Sequence, residues 1–241
     1  MTSTPRMIEH FSRQIAEKCV RIDIFDTIIQ QFGTVINAKE LENRKKAEEF
    51  DTLLLIIQAD LLVLLRGIAM AKTGYGQTYV WRQVVIMMNE CFKRLYHFHN
   101  AKKERENSFW VKDIKKIVEK DMPDQIDRYE TISRKLESYE QEVSDLKSYR
   151  DDFVHYNSPI EFCDKMLNLN KILGGGKGVD LLWEFIKIIG MMEVFMCGVV
   201  GRYNNGQAEN EILDELIEKI GNVKNADQAW DILDHFKIKK K

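Results

Sequence analysis

Apolar residues in this chain return at steps of three and four, the spacing that lines one face of an α-helix, rather than in the alternation of a strand. Ile8, Phe11, Ile15, Cys19, Ile22, Phe25 and Ile29 share such a face, and Gly33 offers a stop. Asn37 stands three residues before Glu40, a pairing in which each side chain satisfies a free amide at a helix start. A second helix therefore runs from there to about Ala71, ahead of Gly74, Tyr75 and Gly76. Thr78 is placed to cap a third helix reaching about Glu106, and Ser108 a shorter one through Ile114, Ile117 and Val118. Pro123 suits a helix start, because proline lacks only an amide that is unpaired there anyway.

After Pro123, Leu136, Tyr139, Val143 and Leu146 keep the four-three rhythm of a helix seam, which predicts apolar residues at 150 and 153. Position 153 is Phe, but position 150 is Arg, so a permanent charge sits in the seam and must be compensated. Asn157, Ser158 and Pro159 then signal a stop. A short helix to about Leu173, a loop from Gly174 to Gly178, a long helix to about Tyr203 and two helices centred on Leu216 and Trp230 complete the chain. With prolines only at 5, 123 and 159 and no internal repeat, the pattern predicts an all-α multi-helix bundle forming a single domain over residues 1–241.

The run from Leu53 to Met70 is apolar enough to suggest a membrane span, yet Gln58, Asp60 and Arg66 would be costly in hydrocarbon. A helix buried on most sides of a bundle is the expectation, and likewise for Val179 to Val200, where Asp180, Glu184, Lys187 and Glu193 mark a solvated face. A net charge of -2 gives no global case for binding nucleic acid or an anionic membrane, so such binding has to be local. Cys19, Cys91, Cys163 and Cys197 lie far apart, against both a zinc site and a disulfide framework. The N-terminus lacks the apolar run of a secretory signal, and a cytoplasmic protein with no membrane partner is expected.

Several familiar chemistries fail on spacing. KILGGGKG departs from a phosphate loop at both ends, with Lys171 where the first glycine belongs and Gly178 where the hydroxyl belongs. His97 and His99, two apart on a predicted helix, would point about 200° away from each other and cannot chelate together. His10 and His235 have no suitably spaced ligand partners, and no serine-hydrolase elbow or zinc-protease motif is present. No metal and no cofactor are expected.

What remains is SYRDDFVHYNSP at 148–159, where Arg150 and His155 have the spacing R-x4-H and Asp151 follows the arginine. Here the sequence resembles the HEPN superfamily, helical bundles whose R-x(4 to 6)-H motif carries a polar residue directly after the Arg. A second match, Arg94 and His99, has the apolar Leu95 in that place and no helix break behind it. Tyr156 follows His155 directly, unlike the His-x-Tyr of many toxin members. The resemblance implies a HEPN-like core at about 37–203, with an N-terminal helix and a C-terminal helical appendage at about 206–241. It implies a metal-independent endoribonuclease, in a defence or toxin-antitoxin setting. The RNA's own 2′-hydroxyl would attack, His155 would act as general base or acid, Arg150 would stabilise the scissile phosphate and Asp151 would orient one of them.

On a regular helix Arg150 and His155 point about 140° apart with a rise of about 7.5 Å, so one chain completes such a site awkwardly. The resemblance answers this with a homodimer that joins two motifs, and it implies RNA, transfer RNA included, and an antitoxin protein as partners. Two other readings of the same residues stay open: a bundle that binds RNA or nucleotides without cleaving, and an interaction bundle in which His155 meets the helix dipole and Arg150 an acidic neighbour.

Overall fold

The computed structural model describes residues 3–32, 38–155, 159–174, 176–203 and 210–239, and among them every regular element is helical. In chain order these are α1 (Thr4–Phe32), α2 (Ala38–Met70), α3 (Gly74–Leu95), α4 (Lys102–Glu106), α5 (Lys115–Asp121), α6 (Ile126–Asp145), α7 (Lys147–His155), α8 (Pro159–Leu173), α9 (Lys177–Tyr203), α10 (Asn210–Asn222) and α11 (Ala226–Lys239). A π-helical turn, Phe109–Ile114, leads into α5, and a 3-10 turn, Pro123–Gln125, into α6. The protein is an all-α multi-helix bundle, as the periodicity predicts.

α2 and α9 form its centre. α9 buries residues on nearly every side, among them Leu182, Trp183, Phe185, Ile186 and Ile188. α1 lies along α2, α3 joins α2 to α7, and α10 covers α9. One continuous apolar core runs from Met7 to Ala226. The backbone N–H of Ser3 donates to Asp227 Oδ1 at 2.9 Å, drawing the start of α1 to the start of α11. α2 is the one helix among the described residues long and apolar enough to cross a membrane, and its inner face, including Leu54, Leu55, Leu61 and Leu62, is fully buried in the bundle.

Several boundaries differ from the sequence pattern, each for a local reason. α3 is capped by Thr73, whose Oγ1 accepts from the Gly76 N–H at 3.0 Å, while Thr78 lies inside the helix and donates to the Gly74 carbonyl at 2.8 Å. That helix ends at Leu95, well short of Glu106. Tyr96 and Phe98 are both buried, and residues two apart on a helix face opposite ways, so the chain turns at His97 to bury both. His97 and His99 therefore do not sit on a helix, and no helical angle separates them. Ser108 stands at the N-cap position of the turn Phe109–Ile114, but its hydroxyl donates to the Arg105 carbonyl at 2.7 Å and bonds no amide of that turn. The seam after Pro123 is buried as expected at Leu136, Tyr139, Val143, Leu146 and Phe153, but the helix breaks at Leu146, separating α6 from α7.

The glycine-rich loop is a packing device. A Cβ on Gly178, in the first turn of α9, would lie 2.6 Å from the Trp81 ring and 2.7 Å from the Leu173 carbonyl oxygen, so α3, α8 and α9 meet there only because the side chain is absent. Gly176 has φ +95°, the left-handed conformation that glycine adopts without strain. The expected signals at Gly33, Asn37, Tyr156, Asn157 and Ser158 lie outside the described residues.

Candidate functional site

α7 is docked on α3 by Phe153, which is buried with the Arg82 guanidinium 5.4 Å above its ring, and by Tyr149, whose ring lies 6.2 Å from that of Phe153. The Arg150 amide bonds to the Leu146 carbonyl at 3.1 Å, which continues the seam register across the break. Its side chain, 19% exposed, carries the charge that the apolar pattern could not accommodate. Two carboxylates compensate it: Nη1 donates to Asp151 Oδ1 at 2.7 Å, and Nη2 donates to Glu90 of α3. The Asp151 hydrogen bond raises the guanidinium pKa first of all; partial burial opposes it and Glu90 adds to it. Arg150 is thus held in place by one residue of its own helix and one of α3.

Around this triad lies a small pocket lined also by Asn89, Lys93, His97 and Lys147. Its lining sets the cations Arg150, Lys93 and Lys147 against the carboxylates of Glu90 and Asp151, which leaves a small positive excess carried by the two lysines. His97 is the residue that sequence reasoning missed here. It has φ 68°, an uncommon conformation for a side chain of this size, and its Nδ1 is buried without a hydrogen-bond partner. Burial lowers its pKa, with Glu104 opposing and Lys93 and Lys147 reinforcing, which favours the neutral imidazole. The signal available in the sequence was the pair Tyr96 and Phe98, whose joint burial forces the turn.

His155 is the last residue of α7, five positions beyond Arg150, and its side chain lies outside the described residues. The structure therefore brings Arg150 and Asp151 together and adds Glu90. The second spacing match separates into different surroundings: Arg94 lies over the Phe109 ring at 4.9 Å, whereas His99 Nδ1 is 3.0 Å from Arg105, in a cluster with Glu137 and Glu140. His10 packs in the core margin, its ring 5.8 Å from Phe11 and 6.2 Å from Trp230.

One group of three metal-ligating side chains occurs among the described residues: Asp51 of α2 with Glu193 and Cys197 of α9, their ligand atoms within 4.8 Å of one another. It already has a cation. The Lys18 ammonium of α1 contacts Asp51 and lies 3.9 Å from the buried Glu48, and Arg21 approaches Glu48 at 3.9 Å from outside. Burial raises the Asp51 pKa, Glu193 adds to this and Lys18 opposes it. Burial alone would lower Lys18, but Asp51 and the other anionic neighbours raise it overall. This cluster reads as an ionic clamp between α1, α2 and α9.

Compared with known proteins, the chain matches no family model, no curated protein and no solved structure.

Proposed function

We propose that this chain is a metal-independent endoribonuclease of the HEPN type, with its site on α7 and RNA as substrate. The observation that carries the reading is the Arg150 guanidinium fixed by Asp151, its immediate neighbour, at a pocket shared with Lys93 and Lys147. A guanidinium oriented by two carboxylates keeps further N–H donors for phosphate oxygens. In the reaction, the RNA 2′-hydroxyl attacks the adjacent phosphorus, a histidine takes its proton and protonates the leaving 5′-oxygen, and Arg150 stabilises the charge that develops on the phosphate. His155 is assigned as that histidine from the motif. A homodimer and an antitoxin protein belong to the same proposal.

The Glu90 contact favours a second reading, in which Arg150 is a structural bridge between α3 and α7 in an interaction bundle. The test is cleavage of transfer RNA and total RNA by purified protein in EDTA, beside His155→Ala, Arg150→Ala and His97→Ala variants whose folding is checked by circular dichroism. Cleavage leaving 2′,3′-cyclic phosphate ends, reduced about a hundredfold or more by His155→Ala, supports the proposal. Loss in His97→Ala with His155→Ala unaffected moves the proton transfer to His97. Absence of cleavage from both RNA pools counts against the ribonuclease, and absence of RNA binding as well, with Arg150→Ala only destabilising the fold, favours the second reading.

A further inference from the structure

α2 presents an outer stripe that the fold leaves uncovered. Ile56, Val63 and Met70, spaced seven apart, are 38%, 52% and 62% exposed. Asp60 and Arg66 are exposed on the same stripe, and neither has an ion-pair partner among the described residues. The order of these residues is self-complementary about Val63. Ile56 and Met70 lie seven positions either side of it, Ala59 and Gly67 four, and Asp60 and Arg66 three. On a helix, equal steps either side of one residue are related by a two-fold axis running outward through that residue. Asp60 and Arg66 lie about 4.5 Å above and below Val63 and about 60° to either side of its direction.

We propose that this stripe is an isologous interface with a second copy of this chain, formed by two α2 helices crossing antiparallel at Val63. Each Asp60 then faces the partner's Arg66, each Ile56 meets the partner's Met70, and Val63 meets its own copy. The charges decide the occupant: an unrelated protein has no reason to match a palindrome of apolar and opposite-charge positions, and a lipid interior would leave Asp60 and Arg66 unpaired at high cost. A Cβ on Gly67 would lie 3.3 Å from Val80, so α3 packs against that edge of α2 and bounds the stripe. α3 stands between α2 and α7, so this face differs from the Arg150 site, and the proposal does not rest on the ribonuclease reading.

Sedimentation velocity on the full chain, from micromolar to hundred-micromolar concentration, tests it. The wild-type protein self-associates, and Val63→Glu removes one two-fold contact, taking a dimer to a monomer, or a tetramer to a dimer where the α7 motifs also pair. Asp60→Arg and Arg66→Asp each weaken it about tenfold, since each swap exchanges two attractions for two repulsions. The double variant D60R/R66D recovers to within about threefold of wild type, because the pairs are restored in reverse. Circular dichroism confirms that each variant is folded. A wild-type monomer throughout the range, single swaps without effect, or a double variant no better than the singles overturns the proposal. Co-sedimentation of a monomer with phosphatidylglycerol vesicles, lost in Val63→Glu, overturns it in favour of a membrane surface.

Discussion

Replacing Lys18 by methionine keeps the aliphatic stem and removes the ammonium from the clamp between α1, α2 and α9. Lys18 is 6% exposed, while Glu48 and Asp51 are fully buried. In the wild type, Lys18 contacts Asp51 and Glu48 while Arg21 approaches Glu48; in the variant Asp51 loses its ammonium and Arg21, itself half in solvent, remains beside Glu48. Two unit charges about 4 Å apart at an effective dielectric of about 20 interact by about 4 kcal/mol, and breaking a buried pair by removing one partner costs about 3–5 kcal/mol. Against a total stability of about 5–15 kcal/mol this is a large fraction, and the urea midpoint is expected to fall by about 1–2 M.

The same reasoning makes Asp51→Asn much milder, because Lys18 and Arg21 both remain beside Glu48. The pH dependence has a defined sign. Asp51 has a raised pKa when folded, so the folded state holds the proton more tightly than the unfolded chain, and the group costs stability as pH rises above the ordinary carboxylate range. Loss of Lys18 removes the opposing influence, so the deficit of Lys18→Met is largest near about pH 8 and shrinks toward about pH 5. Urea denaturation of both single variants and the double variant at the two pH values measures this. A loss below about 1 kcal/mol for Lys18→Met, or Asp51→Asn costing as much, refutes the reasoning.

Gly178→Ala is expected to lower stability by about 1–3 kcal/mol in thermal melts, since the new Cβ meets the Leu173 carbonyl at 2.7 Å and backbone cannot yield as a side-chain tip can. Trp110→Ala is expected to cost about 3–5 kcal/mol: the indole is fully buried, stacked on Tyr129 at 4.7 Å between ring centroids, and donates to Ser133 at 2.8 Å. The two hydrogen bonds from Arg202, at 2.7 and 2.5 Å, hold the half-exposed Asp124 well below the usual carboxylate range. Its contribution is therefore present at neutral pH and lost as pH falls through the depressed pKa, so Asp124→Asn differs from wild type by at most about 1 kcal/mol near neutrality, and the difference disappears in strong acid. Glu90→Gln releases one anionic partner of Arg150; on the ribonuclease reading, RNA affinity in a fluorescence titration rises severalfold, and a fall in affinity counts against Arg150 as the phosphate contact.

The period of the apolar residues and the scarcity of proline were sufficient for the all-α class, because burying one stripe of a helix is a local requirement that every turn repeats. The same logic placed the seam from Leu136 to Phe153 and exposed Arg150 as the residue that broke it. What answered that charge could not be read locally: Glu90 is sixty positions away, and only the packing of α3 on α7 brings it to the guanidinium. The need for Gly178 likewise arises where distant elements, α3 and α8, meet the start of α9. Local spacing determines which residues share a face, while the partner of each face, and therefore the chemistry of the Arg150 pocket and of the Lys18 clamp, is decided by contacts whose sequence separation no periodicity records.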